Sequence, residues 1–191
     1  MLLKKQTYLE ELATFSKDYF SRTISLFYEK SKQLYCLLPG SASKRRYSYC
    51  YKELVSFVMK LRTDLKRDSS FDYLVTGILH GYLDYTYFYF SNDFLKSKKL
   101  KFGLVLNHLE MRFELWLLGN TAEIQKKYWT LLKETKWNKN RKEMPDYSVL
   151  EVVLIETPNF DDLPLLQENI EIELNKNLLE ISTFLYKNTN F

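Results

Sequence analysis

Cysteine is almost missing from this 191-residue chain: Cys36 and Cys50 are the only two, with no CxxC and no Cys/His grouping around them. A disulfide scaffold and a structural zinc site are therefore not expected. Glycine and proline are scarce as well, at 5 and 4 residues. That is too few for a turn-rich all-β sandwich and favours long helices with a few strands. No apolar run approaches the roughly 18 residues of a membrane span. The nearest candidate, the aromatic stretch 82–90, is short and interrupted by Asp84. The N-terminal MLLKKQTYLEELATF has two lysines but neither a long apolar run nor a small-residue cleavage site, so no secretory signal is expected. The expected location is cytoplasmic, without membrane association. Histidine is limited to His80 and His108, and no elbow motif surrounds any serine, which leaves Ser or Cys nucleophilic catalysis without a template. Neither GxGxxG nor GxxxxGK occurs, so no phosphate-cradling loop is expected.

What the chain does contain is aromatic side chains, 15 Tyr, 13 Phe and 3 Trp, within 46% hydrophobic and 27% charged residues. Such a chain buries a core. The formal net charge of +4 is unevenly spread. Residues 1–67 hold 14 Lys/Arg against 6 Asp/Glu, and residues 96–142 hold 12 against 4. Residues 68–95 carry four acids and no base, and residues 143–191 carry 10 acids against 2 bases. Two basic blocks raise the question of nucleic acid. A pI near 8.8 falls below the value expected of such domains, and basic and acidic segments facing each other account for the pattern more simply.

The chain reads as one domain over 1–191, with a helical N-terminal arm at 1–40 and a core over 45–185. Leu9, Leu12, Phe15, Tyr19, Thr23 and Phe27 give residues 6–35 a helical period. After the Pro39-Gly40 loop, Tyr51, Leu54, Val58, Leu61 and Leu65 predict a helix from about Tyr47 to Arg67. From Tyr73 the period becomes two, and GILHGYLDYTYFYF reads as one long strand. LKFGLVLN and EMRFELWLLG read as a hairpin with a two-residue turn at His108-Leu109. That register pairs Asn107 with Glu110, Val105 with Arg112, Gly103 with Glu114 and Lys101 with Trp116. Phe102, Leu104, Leu106, Met111, Phe113, Leu115 and Leu117 then fall together on an entirely apolar face. Asn120 is the expected N-cap of a helix running to about Lys136, and SVLEVVLIE is a buried strand. Asp161, Asp162 and Pro164 open a last helix with the stripe Leu166, Ile170, Leu174, Leu178, Ile181 and Leu185. The fold class is α+β, a three- or four-stranded mainly antiparallel sheet packed with four to five helices.

The second sheet face would then gather Lys101, Asn107, Glu110, Arg112, Glu114 and Trp116. His80, Tyr82, Asp84 and Thr86 would join from one side of the long strand, and Glu151 from the last strand. Antiparallel sheets commonly leave one face wet, and that alone can explain such alternation. Gly103 in mid-strand argues for a close approach by a ligand or another backbone. The expected ligand-binding set is His80, Tyr82, Asp84, Lys101, Arg112, Glu114 and Trp116. In it Arg112 grips an anionic group while Tyr82 and Trp116 wall the site. The alternative is a divalent cation held by Asp84 and Glu114 in a phosphoesterase or nuclease acting on nucleic acid. There Trp116 stands where the Asp…Glu-x-Lys pattern requires a lysine, so Lys101 would have to supply the missing cation. No cofactor and no resident metal is expected, and the partner is a small polar ligand or another protein rather than nucleic acid.

Gly81–Phe88 (GYLDYTYF), His108–Asn120 (HLEMRFELWLLGN) and Ile124–Trp129 (IQKKYW) together resemble a bacterial family of domains of unknown function. Its motifs read G-Y-x-D-x-T-Y-F, H-x-x-x-R-F-E-x-W-L-x-G-N and I-Q-x-x-Y-W, and the resemblance covers roughly residues 45–185. It implies a shared fold and recurring positions at Gly81, Tyr82, Asp84, Arg112, Glu114, Trp116, Gln125 and Trp129, and it implies no activity.

Overall fold

The computed structural model describes residues 43–81 and 84–189. The expected arm at 1–40 and Tyr82 lie outside the described residues. Helix α1, Ser43–Arg67, starts a little before the expected Tyr47 and buries the expected Leu54, Val58, Leu61 and Leu65 together with Phe57. Strands β1 (Leu74–Gly81) and β2 (Tyr85–Ser91) are followed by the short helix α2 (Asp93–Ser97). Strands β3 (Leu100–Asn107) and β4 (Arg112–Gly119) come next, then α3 (Ala122–Leu132), β5 (Leu150–Ile155) and α4 (Leu163–Asn188). The α+β class holds, with four helices among the described residues. The sheet has five strands in the order β1-β2-β3-β4-β5, every neighbour antiparallel.

The extra strand arises because the expected single strand from Gly77 to Phe90 folds back on itself. Asp84 N–H donates to Gly81 O at 2.7 Å, and His80 then lies opposite Thr86 and Gly81 opposite Tyr85. Gly81 and Asp84 are both turn-forming residues, which is why the chain reverses between them.

The β3–β4 hairpin is also corrected, by one pair. Asn107 faces Arg112, Val105 faces Glu114, Gly103 faces Trp116 and Lys101 faces Leu118. Its loop is His108–Met111 rather than two residues. Asn107 Oδ1 accepts from Glu110 N–H at 3.0 Å, and Met111 takes a left-handed φ of 48° before the ladder resumes. A shift of one full pair preserves the alternation, so the apolar face expected from the sequence survives. Phe102, Leu104, Leu106, Phe113, Leu115 and Leu117 are all buried on it. The described helices place their buried apolar side chains in the same cluster: Leu61 from α1, Leu95 from α2, Leu132 from α3 and Ile170 from α4. Aromatic contacts such as Phe90–Phe102 and Phe57–Phe113 run through it.

Two boundaries move. Thr121, not Asn120, caps α3, its side chain accepting from Ile124 N–H, and α3 ends at Leu132 instead of near Lys136. Helix α4 begins as expected, Asp162 accepting from Leu165 N–H at 3.1 Å, and buries all six stripe residues. The charge blocks meet through ion pairs. Lys136–Glu180 (2.5 Å), Arg141–Glu151 (2.9 Å) and Arg112–Glu156 (3.6 Å) join the basic 96–142 block to the acidic 143–191 block.

Candidate functional site

The second face of the sheet is built from the odd-numbered residues of β2 and β3 and the even-numbered residues of β4. Strand β2 brings Tyr85, Tyr87 and Tyr89 to it, opposite Asn107, Val105 and Gly103 of β3. Across β3 stand Arg112, Glu114, Trp116 and Leu118, and Glu151 enters from β5 opposite Trp116. Lys101, Arg112, Glu114 and Trp116 of the expected set therefore do share one face. His80 does not. Its register with Thr86 puts both on the helix-covered side, where Thr86 is buried and bonded to the second histidine. The sequence YTYFYF alternates tyrosine with Thr and Phe. Assigning Phe88 and Phe90 to the core would have put the three tyrosines, not Thr86, with Glu114.

At the centre of this face lies a carboxylate with only 1% of its surface exposed, Glu114. Its Oε1 accepts from Arg112 Nε at 2.5 Å and from Asn107 Nδ2 at 3.2 Å, and its Oε2 accepts from Trp116 Nε1 at 2.6 Å. A buried carboxylate is tolerable only when paired and fully bonded, and this one has both kinds of partner. Burial alone would lower the Arg112 guanidinium, but the bond to Glu114 and the nearby acids outweigh it and hold its pKa above the ordinary value. Arg112 also approaches Glu156, so the cation expected to grip an anionic ligand already faces two carboxylates. The donors on Glu114 likewise leave it poorly placed to ligate a cation. Among the described residues no group of three or more His, Cys, Asp or Glu is arranged to hold a metal ion. Asp84 sits in the β1–β2 turn, its carbonyl accepting from His108 N–H at 2.8 Å. Its carboxylate Oδ1 is buried and accepts no hydrogen bond among the described residues.

The aromatic half of the face surrounds Gly103. A Cβ there would lie 3.2 Å from Tyr89 Cδ1 and 3.4 Å from Leu118 Cδ1, so the close approach inferred from this glycine is made by a tyrosine ring of the neighbouring strand. Lys101 Nζ stands 3.9 Å from the centroid of the same ring. Tyr87 packs on Tyr89 at 5.2 Å between centroids, and Tyr85 meets Trp116 edge-on at 5.1 Å. Burial, with the neighbouring Tyr87, pushes the Tyr89 hydroxyl well above its ordinary pKa. Burial lowers Lys101, whose ammonium has no carboxylate partner among the described residues. Glu151, by contrast, is paired with Arg141 and bonded by Ser148.

A second polar group lies at the end of the helix-covered side. His108, 2% exposed, has its Nε2 2.9 Å from Thr86 Oγ1, and its ring stands 5.5 Å from that of Tyr51. Burial, with the nearby His80 charge, lowers its pKa from 6.5 to about 4, so it is neutral at physiological pH.

A five-stranded antiparallel sheet with helices packed on one face, and with a tyrosine row beside an enclosed Arg–Glu–Trp network on the other, defines the class: an α+β protein with a built polar centre on its sheet. Within that class the chain belongs to the DUF7000 family, a domain of unknown function, which matches residues 40–185. No curated protein and no solved structure matches the chain. Among the described residues no helix is long and apolar enough to cross a membrane.

Proposed function

We propose that this chain is a binding protein and that its second sheet face recognises a small organic anion with an aromatic or otherwise apolar body. The observation that carries the reading is Lys101. Arg112, Glu114 and Glu151 on this face each face an opposite charge, whereas among the described residues Lys101 faces only the Tyr89 ring. An ammonium partly withdrawn from water without a counter-ion is a cost to the free protein, and a bound anion removes it. Tyr87 and Tyr89, only partly buried, supply flat apolar area for the body of such a ligand, with hydroxyl edges to orient it. The Glu114 network fixes Trp116 and Arg112 in place before binding, which lowers the ordering cost.

Thermal denaturation of the full chain with benzoate and phenyl phosphate, compared with neutral benzamide, tests the proposal. The two anions should raise the midpoint, benzamide should raise it less, and Lys101→Gln should remove the difference. Equal stabilisation by benzamide, or an anion effect that survives in Lys101→Gln, would overturn it.

A further inference from the structure

The connection from α3 to β5, residues 133–149, is longer than the roughly 12–15 residues that compact domains use without a functional reason. It is also held in one shape. Asn138, fully buried, donates from Nδ2 to Val149 O at 3.0 Å, Lys139 N–H donates to Thr135 O at 2.8 Å and Arg141 N–H to Asn138 O at 2.7 Å. With the end of α3 it carries a basic run: residues 126–142 hold seven Lys/Arg and one Glu. Lys136 and Arg141 are paired with Glu180 and Glu151. Lys126, Lys133, Lys139 and Lys142 are exposed and form no ion pair among the described residues. Lys126 and Lys133 stand on the side of α3 away from the buried Tyr128 and Leu132, about 10 Å apart along its axis. The Lys139 bond, four residues back, carries the chain one further helical turn, so Lys139 and then Lys142 follow them. Glu151 accepts from Arg141 on one oxygen and from Ser148 on the other, each at 2.9 Å, which sets Tyr147, 64% exposed, beside this basic tip.

We propose that this row binds the phosphodiester backbone of a single-stranded nucleic acid. Four ammonium groups without counter-ions, spaced along a line rather than gathered in a pocket, match an anion that repeats its charge along a line. Tyr147 offers an exposed ring on which an unpaired base can stack. A duplex would meet the lysines but has no unstacked base for the tyrosine. A lipid surface is a poorer match, because no large apolar residue of α3 is exposed to enter it. The acids of the segment, Glu134, Glu143 and Asp146, pair with none of these lysines. The pI near 8.8 averages this run with the acidic 143–191 block, whereas an approaching strand responds to the local field.

Fluorescence anisotropy of labelled oligo(dT) and oligo(U), each titrated with the full chain, tests this. One or both should bind, with the logarithm of the affinity falling linearly against that of salt at a slope of about −3, as four phosphate contacts on a single strand require. Lys133→Glu/Lys139→Glu should weaken binding by about tenfold or more at low salt and flatten the slope. Its circular dichroism spectrum should be unchanged because both positions are exposed. Tyr147→Ala should weaken binding by about fivefold or more at every salt concentration and leave the slope as it is. Lys66→Gln, an exposed lysine of α1, should change neither. Binding of neither oligonucleotide at low salt, full binding by Lys133→Glu/Lys139→Glu, a comparable loss in Lys66→Gln, or binding of phosphatidylglycerol vesicles in place of the oligonucleotides would overturn the proposal. A Tyr147→Ala variant that binds as the parent does would overturn the assignment to a single strand.

Discussion

Glu114 is the residue on which the second face of the sheet depends, because three side chains take their positions from its two oxygens. Replacing it by Gln keeps the shape but removes the charge that balances Arg112 and turns one acceptor into a donor facing other donors. Leaving buried donors unsatisfied and a half-buried guanidinium unbalanced costs about 2–4 kcal/mol. For a chain of this size the thermal midpoint of Glu114→Gln should fall by roughly 5–10 °C. A midpoint within error of the parent would show the network to be incidental. The sequence disclosed half of this centre. Arg112, Glu114 and Trp116 alternate along one strand, so their shared face follows from the period of two. That Glu114 is almost fully buried does not follow, because burial depends on what surrounds the face, and the contribution of Asn107 depends on a hairpin register that sequence alone left one pair off. The partners that Arg112 already has, Glu114 and Glu156, were hidden for the same reason: they belong to the structure's pairing, not to the pattern.

At the scale of elements, the long helices α1 and α4 were legible, whereas the short α2 and the strand ends were not. The α4 stripe and its Asp162 cap follow from spacing and cap chemistry, which are local. The reversal at Gly81–Asp84 was obscured because Tyr and Leu between these residues continue the alternation, so the pattern passes through a turn unbroken. Thr86 and His80 were assigned to the wrong face for a different reason: their polarity, rather than Phe88 and Phe90 two and four residues beyond Thr86, was used to choose the side. Gly103 is a further lesson in what neighbours decide. It lies beneath the Tyr89 ring of β2, and any side chain there must displace that ring or Leu118. Gly103→Val should therefore destabilise the protein by about 1–3 kcal/mol despite the β-propensity of valine. The companion variant Gly103→Val/Tyr89→Ala, which opens the space, should recover part of the loss. If Gly103→Val is neutral in urea unfolding, the ring is not held against the glycine in solution.

For the whole molecule, the buried His108 couples stability to pH. In the unfolded chain an imidazole takes up its proton near the ordinary value of 6.5, whereas the folded His108 does so only near 4. Between these values the unfolded state binds more protons, so stability falls as pH drops from 6.5 towards 4 and is fully present above 6.5, a span of about 3 kcal/mol. The urea midpoint should follow this course, and His108→Gln should flatten it; a midpoint independent of pH over that window would place His108 in contact with water. The charge blocks, read as mutually facing segments, meet through Lys136–Glu180, Arg141–Glu151 and Arg112–Glu156. Among the described residues this cross-pairing leaves Lys101 without a carboxylate partner on an aromatic face, which is the basis of the binding proposal.

Native mass spectrometry of the gently purified full chain tests that proposal most directly. The expected result is a discrete excess mass from an organic anion on the parent protein and its absence from Lys101→Gln. An excess mass that persists in Lys101→Gln, or that corresponds to a metal ion, would contradict it.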